Sequence, residues 1–306
     1  MSTIERAIDK LGRAASKGIP AEQPVEATQE APAPGHIHVV DAVAGKKDGQ
    51  SAAVDLQAYE GSHSRIELNL EKLKQAGMVT PDAERSQIAE EIRHIKRPLL
   101  LNAFGEGALQ SSNRNLIMVT SARPGEGKTF TTVNLALSIA LERDRTVLLV
   151  DADVAKPSVA QVFDFPGTAG LVDYLADHDR ELSDLILQTS VPKLRILPAG
   201  RRHVHSTELL ASESMLGLVK ELSDRYPDRV VLFDSPPLLA TSEAAVLAGL
   251  MGQVVMVVEA TKTKREELTE ALSLLGDNQY VGLVLNKSGK PFGADYYYSG
   301  YQAYGE

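Results

Sequence analysis

The sequence predicts an α/β domain: a doubly wound, mostly parallel β-sheet with helices on both faces. Three observations carry this expectation. Six short runs, at 116–121, 146–151, 194–197, 229–234, 253–258 and 281–285, are β-branched or Leu-rich with little alternation, as strands buried on both faces are. Helical stretches fall between them, near 128–142, 206–225, 241–250 and 263–275. Some of the strands run into glycine-rich or acidic turns, and the carboxyl edge of an open sheet is where such folds bind ligands.

In chain order, residues 1–17 are expected to form an amphipathic helix. Ile4, Ile8 and Leu11 share one face, and Arg6, Lys10, Arg13 and Lys17 form a second stripe. A solvated basic face accounts for that stripe, with docking to an anionic membrane or an acidic partner as the other reading. Residues 18–62 read as a flexible linker: Pro20, Pro24, Pro32 and Pro34 interrupt an Ala/Glu/Gln-rich stretch with too little apolar content for a core. The main domain is expected over 63–290. A helical pattern resumes from Ser64 to Ala76, with Ile66, Leu70 and Leu73, and Gly77 ends it. Thr80-Pro81-Asp82 is expected to start another helix, through Ile88, Ile92 and Ile95, that stops before Pro98. Residues 291–306 form a flexible tail. It has no basic residue, is spaced by Gly293, Gly300 and Gly305, and holds five of the nine tyrosines: Tyr296, Tyr297, Tyr298, Tyr301 and Tyr304.

Composition removes several function classes. The net charge of -9 argues against nucleic acid as a partner, because such binders need a basic footprint. The absence of cysteine excludes disulfides, thiolate metal sites and a cysteine nucleophile, and fits a cytoplasmic location. No apolar run approaches the roughly 18–20 residues of a membrane span, and the N-terminus lacks a signal peptide's apolar core. A membrane role would therefore run through a partner or a surface helix.

The strongest chemical signal is the run Ala122-Arg123-Pro124-Gly125-Glu126-Gly127-Lys128-Thr129, which joins a strand to a helix. A loop in that context cradles phosphates with backbone N–H groups at a helix N-terminus. Gly125 and Gly127 let the backbone approach the oxygens, Lys128 is expected to contact the β- and γ-phosphates, and the Thr129 hydroxyl to bind Mg²⁺. Pro124, Glu126 and Phe130 complete the expected nucleotide contact. Two further strands end in carboxylates, one at Asp151-Ala152-Asp153 and one at Asp234-Ser235-Pro236-Pro237. Phosphoryl transfer needs a carboxylate near Mg²⁺ and a group to accept the hydroxyl proton. The segment His203-Val204-His205, beside Arg201 and Arg202, reads as a polar loop near the nucleotide rather than a metal site, because further ligands at suitable spacing are lacking.

These motifs together resemble the bacterial tyrosine kinases, which share their fold with P-loop ATPases. The resemblance covers about residues 64–306 and includes the tyrosine-rich end. The wording of Glu90–Phe104 and of Asp151–Pro157 is most similar to the exosortase-associated tyrosine autokinases of exopolysaccharide systems. It implies ATP and Mg²⁺ as cofactors. Lys128 and Thr129 bind them, Asp234 holds the metal, Asp151 takes the proton of the incoming tyrosine, and Asp153 assists at the metal. It places Asn286 where related ATPases read adenine. It also implies a subunit contact through Glu90, Arg93 and Lys96, which depart from the family's pattern in having Lys at the last position. Ala155 stands where the family often has Arg. The tail tyrosines become the phospho-acceptors, reacting in trans within a homo-oligomer, and a membrane polysaccharide chain-length or export protein becomes the expected activator. The chain itself would then be peripheral at the inner membrane. Arg123, in the position where partitioning ATPases of the related deviant Walker group carry a second lysine, keeps such an ATPase as an alternative. A nucleotide-gated scaffold without catalysis is the other.

Overall fold

The computed structural model describes residues 65–81, 86–105, 113–177, 179–225, 228–276 and 280–289. The expected N-terminal helix, the linker and all five tail tyrosines lie outside these residues. Eight strands form one sheet: β1 (Arg65–Ile66), β2 (Leu116–Ser121), β3 (Thr146–Asp151), β4 (Leu187–Thr189), β5 (Leu194–Leu197), β6 (Arg229–Asp234), β7 (Gln253–Glu259) and β8 (Tyr280–Asn286). Their spatial order is β1-β4-β5-β3-β6-β2-β7-β8. Every pairing is parallel except that of β4 with β5.

The helices are α1 (Leu70–Gln75), α2 (Gln87–Phe104), α3 (Lys128–Ala140), α4 (Val159–Phe163), α5 (Leu171–Ala176), α6 (Leu182–Leu185), α7 (Ser206–Leu210), α8 (Glu213–Asp224), α9 (Ser242–Gly249) and α10 (Arg265–Ser273). Side chains alternate across a strand, so each central strand feeds two cores. Met118, Leu148, Val150, Val231, Phe233 and Met256 pack on the face covered by α5, α8, α9 and α10. Ile117, Val119, Leu149, Leu232, Val255 and Val257 pack on the face covered by α2 and α3. This is why the strand sequences are apolar throughout instead of alternating.

Four of the six expected strands coincide with β2, β3, β5 and β6, and β7 and β8 extend their expectations by one or two residues. Differences gather at the domain's start. Arg65–Ile66 is a strand paired with β4, and the helix read over the whole of 64–76 occupies only Leu70–Gln75. Asn69 caps that helix, its side chain accepting from Lys72 N at 2.9 Å. The next helix begins at Gln87 rather than at Thr80–Asp82, with Ser86 as its cap. It does not stop before Pro98 but runs on to Phe104. Proline usually breaks a helix because it lacks an N–H and crowds the preceding turn. Here Ile92 and Leu99 are buried against the sheet and α3, Ala103 is fully buried as well, and that packing outweighs the missing bond.

Candidate active site

β2, β3 and β6 are neighbours, and all three end at the same edge, so their C-terminal turns converge. The turn after β2 is the phosphate loop. Gly125 and Gly127 take positive φ values of 87° and 100°, a region that side chains disfavour. Gly127 is doubly constrained, because a Cβ there would lie 2.0 Å from Asn286 Nδ2. It caps α3 without a side chain, so no cap side chain competes for the N–H groups of the first turn.

The sequence-predicted residues meet behind this loop. Lys128 Nζ lies 2.9 Å from Asp153 Oδ2, and both side chains are largely buried. Thr129 Oγ1 donates to Asp234 Oδ2 at 2.6 Å. Asp151 and Asp234 are Cα partners across β3 and β6, which brings two buried carboxyls side by side. Asp151 Oδ2 accepts from the backbone of Val159 at 3.0 Å and of Ser158 at 3.2 Å, whereas its buried Oδ1 has no hydrogen-bond partner. Burial, reinforced by the Asp234 charge, pushes the Asp151 carboxyl up from 3.8 to about 7. Burial likewise raises Asp234 to about 6, against the pull of Lys128, Thr129 and Thr132.

Reading the motifs alone missed several groups. Ser158 starts α4 without capping it by side chain, and its hydroxyl lies 3.0 Å from Thr129 Oγ1. Thr132, one turn beyond Lys128, places its hydroxyl 3.1 Å from Asp234 Oδ1. A second set of contacts ties the phosphate loop to the ends of β7 and β8. Glu126 is buried, accepting from Arg123 N at 2.9 Å and from the Thr263 hydroxyl. Asn286 Nδ2 donates to Glu126 O at 2.8 Å, and its Oδ1 accepts from Lys287 N. Lys287 Nζ donates to Gly125 O at 2.7 Å and pairs with Glu259. Asn286 thus buttresses the loop from beneath Gly127. Arg123 pairs with Glu267 of α10 at 2.7 Å, within its own chain. Spacing alone gives little sign of these contacts, since strand register creates them.

The remaining expected residues stand apart from this centre. Phe130 is half-buried against the core that α2 and α3 share. On α2, Glu90 and Arg93 form an exposed ion pair. Lys96 does not join them at the surface: it is buried, donates to Ser138 O at 3.0 Å and pairs with Glu142. A three-residue repeat drifts around a 3.6-residue helix, which turns Lys96 towards α3. In the loop after β5, His203 Nδ1 accepts from His205 N at 3.2 Å, and Val204 between them is 90% exposed.

The residues fit a magnesium nucleotide. Mg²⁺ takes oxygen donors and is commonly held by one or two carboxylates together with substrate phosphates. Thr129, Asp151, Asp153 and Asp234 supply such oxygens, and Asp151 Oδ1 is a buried acceptor without a partner. Among the described residues no group of three or more His, Cys, Asp or Glu is placed to hold a metal ion by itself. No described helix is long and apolar enough to cross a membrane.

The chain is similar to known proteins in sequence and in fold. Residues 114–274 match the family model described as an AAA domain. The putative tyrosine-protein kinase CapB of Staphylococcus aureus is 30% identical over 219 residues, covering 71% of this chain and 92% of that protein. The tyrosine-protein kinase YwqD of Bacillus subtilis is 33% identical over 172 residues, covering 56% of this chain and 71% of that protein. Among solved structures, the VpsO kinase domain superposes with a TM-score of 0.54 at 29% identity, covering 67% of this chain and all of that one.

Proposed function

The chain belongs to the bacterial tyrosine-protein kinase family, and we propose from that premise that it transfers the γ-phosphoryl group of ATP to the tyrosines of its own tail, in trans. The observation that carries this reading is the meeting of Lys128, Thr129, Asp151, Asp153 and Asp234 at one sheet edge, with an orphaned oxygen on the most perturbed carboxyl.

The nucleotide lies on the phosphate loop, its phosphates held by the backbone of Pro124–Thr129 and the first turn of α3. Lys128 exchanges Asp153 for the β- and γ-oxygens. Thr129 and Asp234 would hold Mg²⁺, with Asp151 and Asp153 completing the acidic side. When bound, Mg²⁺ would supply positive charge that offsets the charge developing on the transferred phosphate. A tyrosine hydroxyl ionises near pH 10 and needs help to attack at neutral pH. Its oxygen forms a bond to the γ-phosphorus, the bond from that phosphorus to the β-phosphate oxygen breaks, ADP departs, and the phenolic proton passes to Asp151. Its buried, unpartnered Oδ1 is an acceptor suited to that task. Asn286 supports the loop from below and stands beside the adenine.

Tyr296, Tyr297, Tyr298, Tyr301 and Tyr304 are the acceptors, entering the site of a neighbouring subunit in a homo-oligomer. Glu90 and Arg93 provide the exposed part of the subunit contact, and Lys96 anchors their helix. Each phosphate adds about -1.5 to -2 charges, so a phosphorylated tail is repelled from the acidic centre. The resemblance to exosortase-associated autokinases supports a role in exopolysaccharide assembly or export, at the cytoplasmic side of the inner membrane, with a membrane export protein as activator. Incubation with Mg-ATP and mapping of phosphotyrosine by mass spectrometry tests the reading. Phosphate on tail tyrosines, absent from Lys128→Ala, is the expected result. ATP hydrolysis without phosphotyrosine, persisting with cytoplasmic fragments of candidate activators, would point to a partitioning-type ATPase instead.

A further inference from the structure

The chain leaves β5 beside the catalytic carboxylates. Leu197, the last residue of β5, pairs with Val150, which immediately precedes Asp151. Neighbouring strands lie about 5 Å apart, so the segment that follows Leu197 starts one strand away from Asp151 and two from Asp234. This segment and α5 enclose a pocket of about 150 Å³ lined by Asp173, Asp177, Arg180, Arg201, Arg202 and His203.

The two carboxylates of the pocket are already matched. Asp173 is largely buried; its Oδ2 accepts from the backbone of Gly170 and Arg201 at 2.9 Å each, and its Oδ1 lies 3.0 Å from Arg201 Nε. Asp177 Oδ2 accepts from Arg180 Nε at 3.1 Å. In both ion pairs the contact runs through the Nε of the arginine. Arg202 is exposed and makes no ion pair among the described residues. Three guanidiniums and an imidazole therefore surround a cleft whose acids are neutralised from within. Guanidinium forks match phosphate oxygens in geometry as well as charge.

The tail has the complementary character. After Lys290 it holds no basic residue; its charged side chains are Asp295 and Glu306, and the five tyrosines lie between them. We propose that this pocket binds the phosphotyrosines of the tail after transfer. The product moves from the acidic centre to the basic pocket on the segment that follows the neighbouring strand and stays on the enzyme while further tyrosines react. The proposal rests on the tyrosine-kinase reading, but its test involves no turnover.

The full chain, dephosphorylated and held in EDTA with saturating ADP, is titrated with a fluorescent peptide of residues 293–306 carrying phosphotyrosine at position 298. The phosphopeptide is expected to bind roughly tenfold or more tightly than its unphosphorylated counterpart, as two or more charge-assisted hydrogen bonds allow. The Arg180→Ala, Arg202→Ala double variant should lose that preference while keeping its affinity for ADP. If the double variant fails to bind ADP, Arg202→Glu alone, at an exposed position, makes the same test. Equal binding of the two peptides, or a preference that survives these substitutions, overturns the proposal. So does a preference for the phosphopeptide that appears only when ADP is left out, which would place its phosphate in the phosphate loop. A protein that makes tail phosphotyrosine yet binds both peptides alike would refute the pocket and leave the kinase reading standing.

Discussion

At the scale of single residues, Asp151 carries the sharpest conflict between stability and function. Its folded value near 7 lies above the unfolded value near 3.8, so the folded chain holds this proton more tightly. The sign follows: the stability linked to the proton is fully present below about 3.8 and is lost as pH rises towards 7. Above pH 7 the folded protein keeps a buried charge with one unpartnered oxygen beside a second raised carboxyl. Asp151→Asn removes that charge. The variant without nucleotide should be more stable than the wild type at pH 8, by on the order of 1–3 kcal/mol, and the gain should shrink as pH falls to 5. Thermal unfolding at the two pH values measures this, and the same substitution should abolish tail phosphorylation. A variant less stable than the wild type at pH 8 would show that Asp151 is a structural acceptor for the backbone of Ser158 and Val159 and little more.

At the scale of elements, α2 separates two kinds of charged contact that look alike in sequence. Glu90 and Arg93 pair in solvent, where such a contact contributes little, whereas Lys96 is buried against the end of α3 and Glu142. Arg93→Ala should change stability by no more than about 0.5 kcal/mol and yet weaken subunit assembly in sedimentation experiments. Lys96→Ala should destabilise the fold by about 1–3 kcal/mol, lowering Tm by roughly 2–10 °C in a domain of this size. If thermal melts rank the two variants the other way, the division of labour along the helix is wrong. The same helix marks where sequence reading fails. Its hydrophobic spacing was legible, but its run through Pro98 depends on burial of Leu99 and Ala103. The central strands were legible because burial on both faces leaves a continuous apolar run. β1 and β4, of two and three residues, are too short to carry a pattern and exist through pairing. In the site, Lys128, Thr129 and the strand-end carboxylates were legible because their chemistry demands fixed spacing. Ser158, Thr132 and the Glu126–Thr263 contact were not, since residues far apart in sequence meet there only through the fold.

At the scale of the whole molecule, the parallel sheet gathers a cation, a hydroxyl and three carboxylates at one edge, and the chain ends in a tail of phenols. In the proposed reaction one copy's site phosphorylates another copy's tail. Its most direct test mixes two defective chains with Mg-ATP: Lys128→Ala with an intact tail, and a chain with an intact site and all five tail tyrosines changed to Phe. Neither alone should form tail phosphotyrosine. The mixture should place phosphate on Tyr296–Tyr304 of the Lys128→Ala chain. A mixture that hydrolyses ATP and leaves those tyrosines unmodified, while the wild type alone labels its tail, would contradict transfer in trans; a wild type that also leaves them unmodified would contradict the kinase itself.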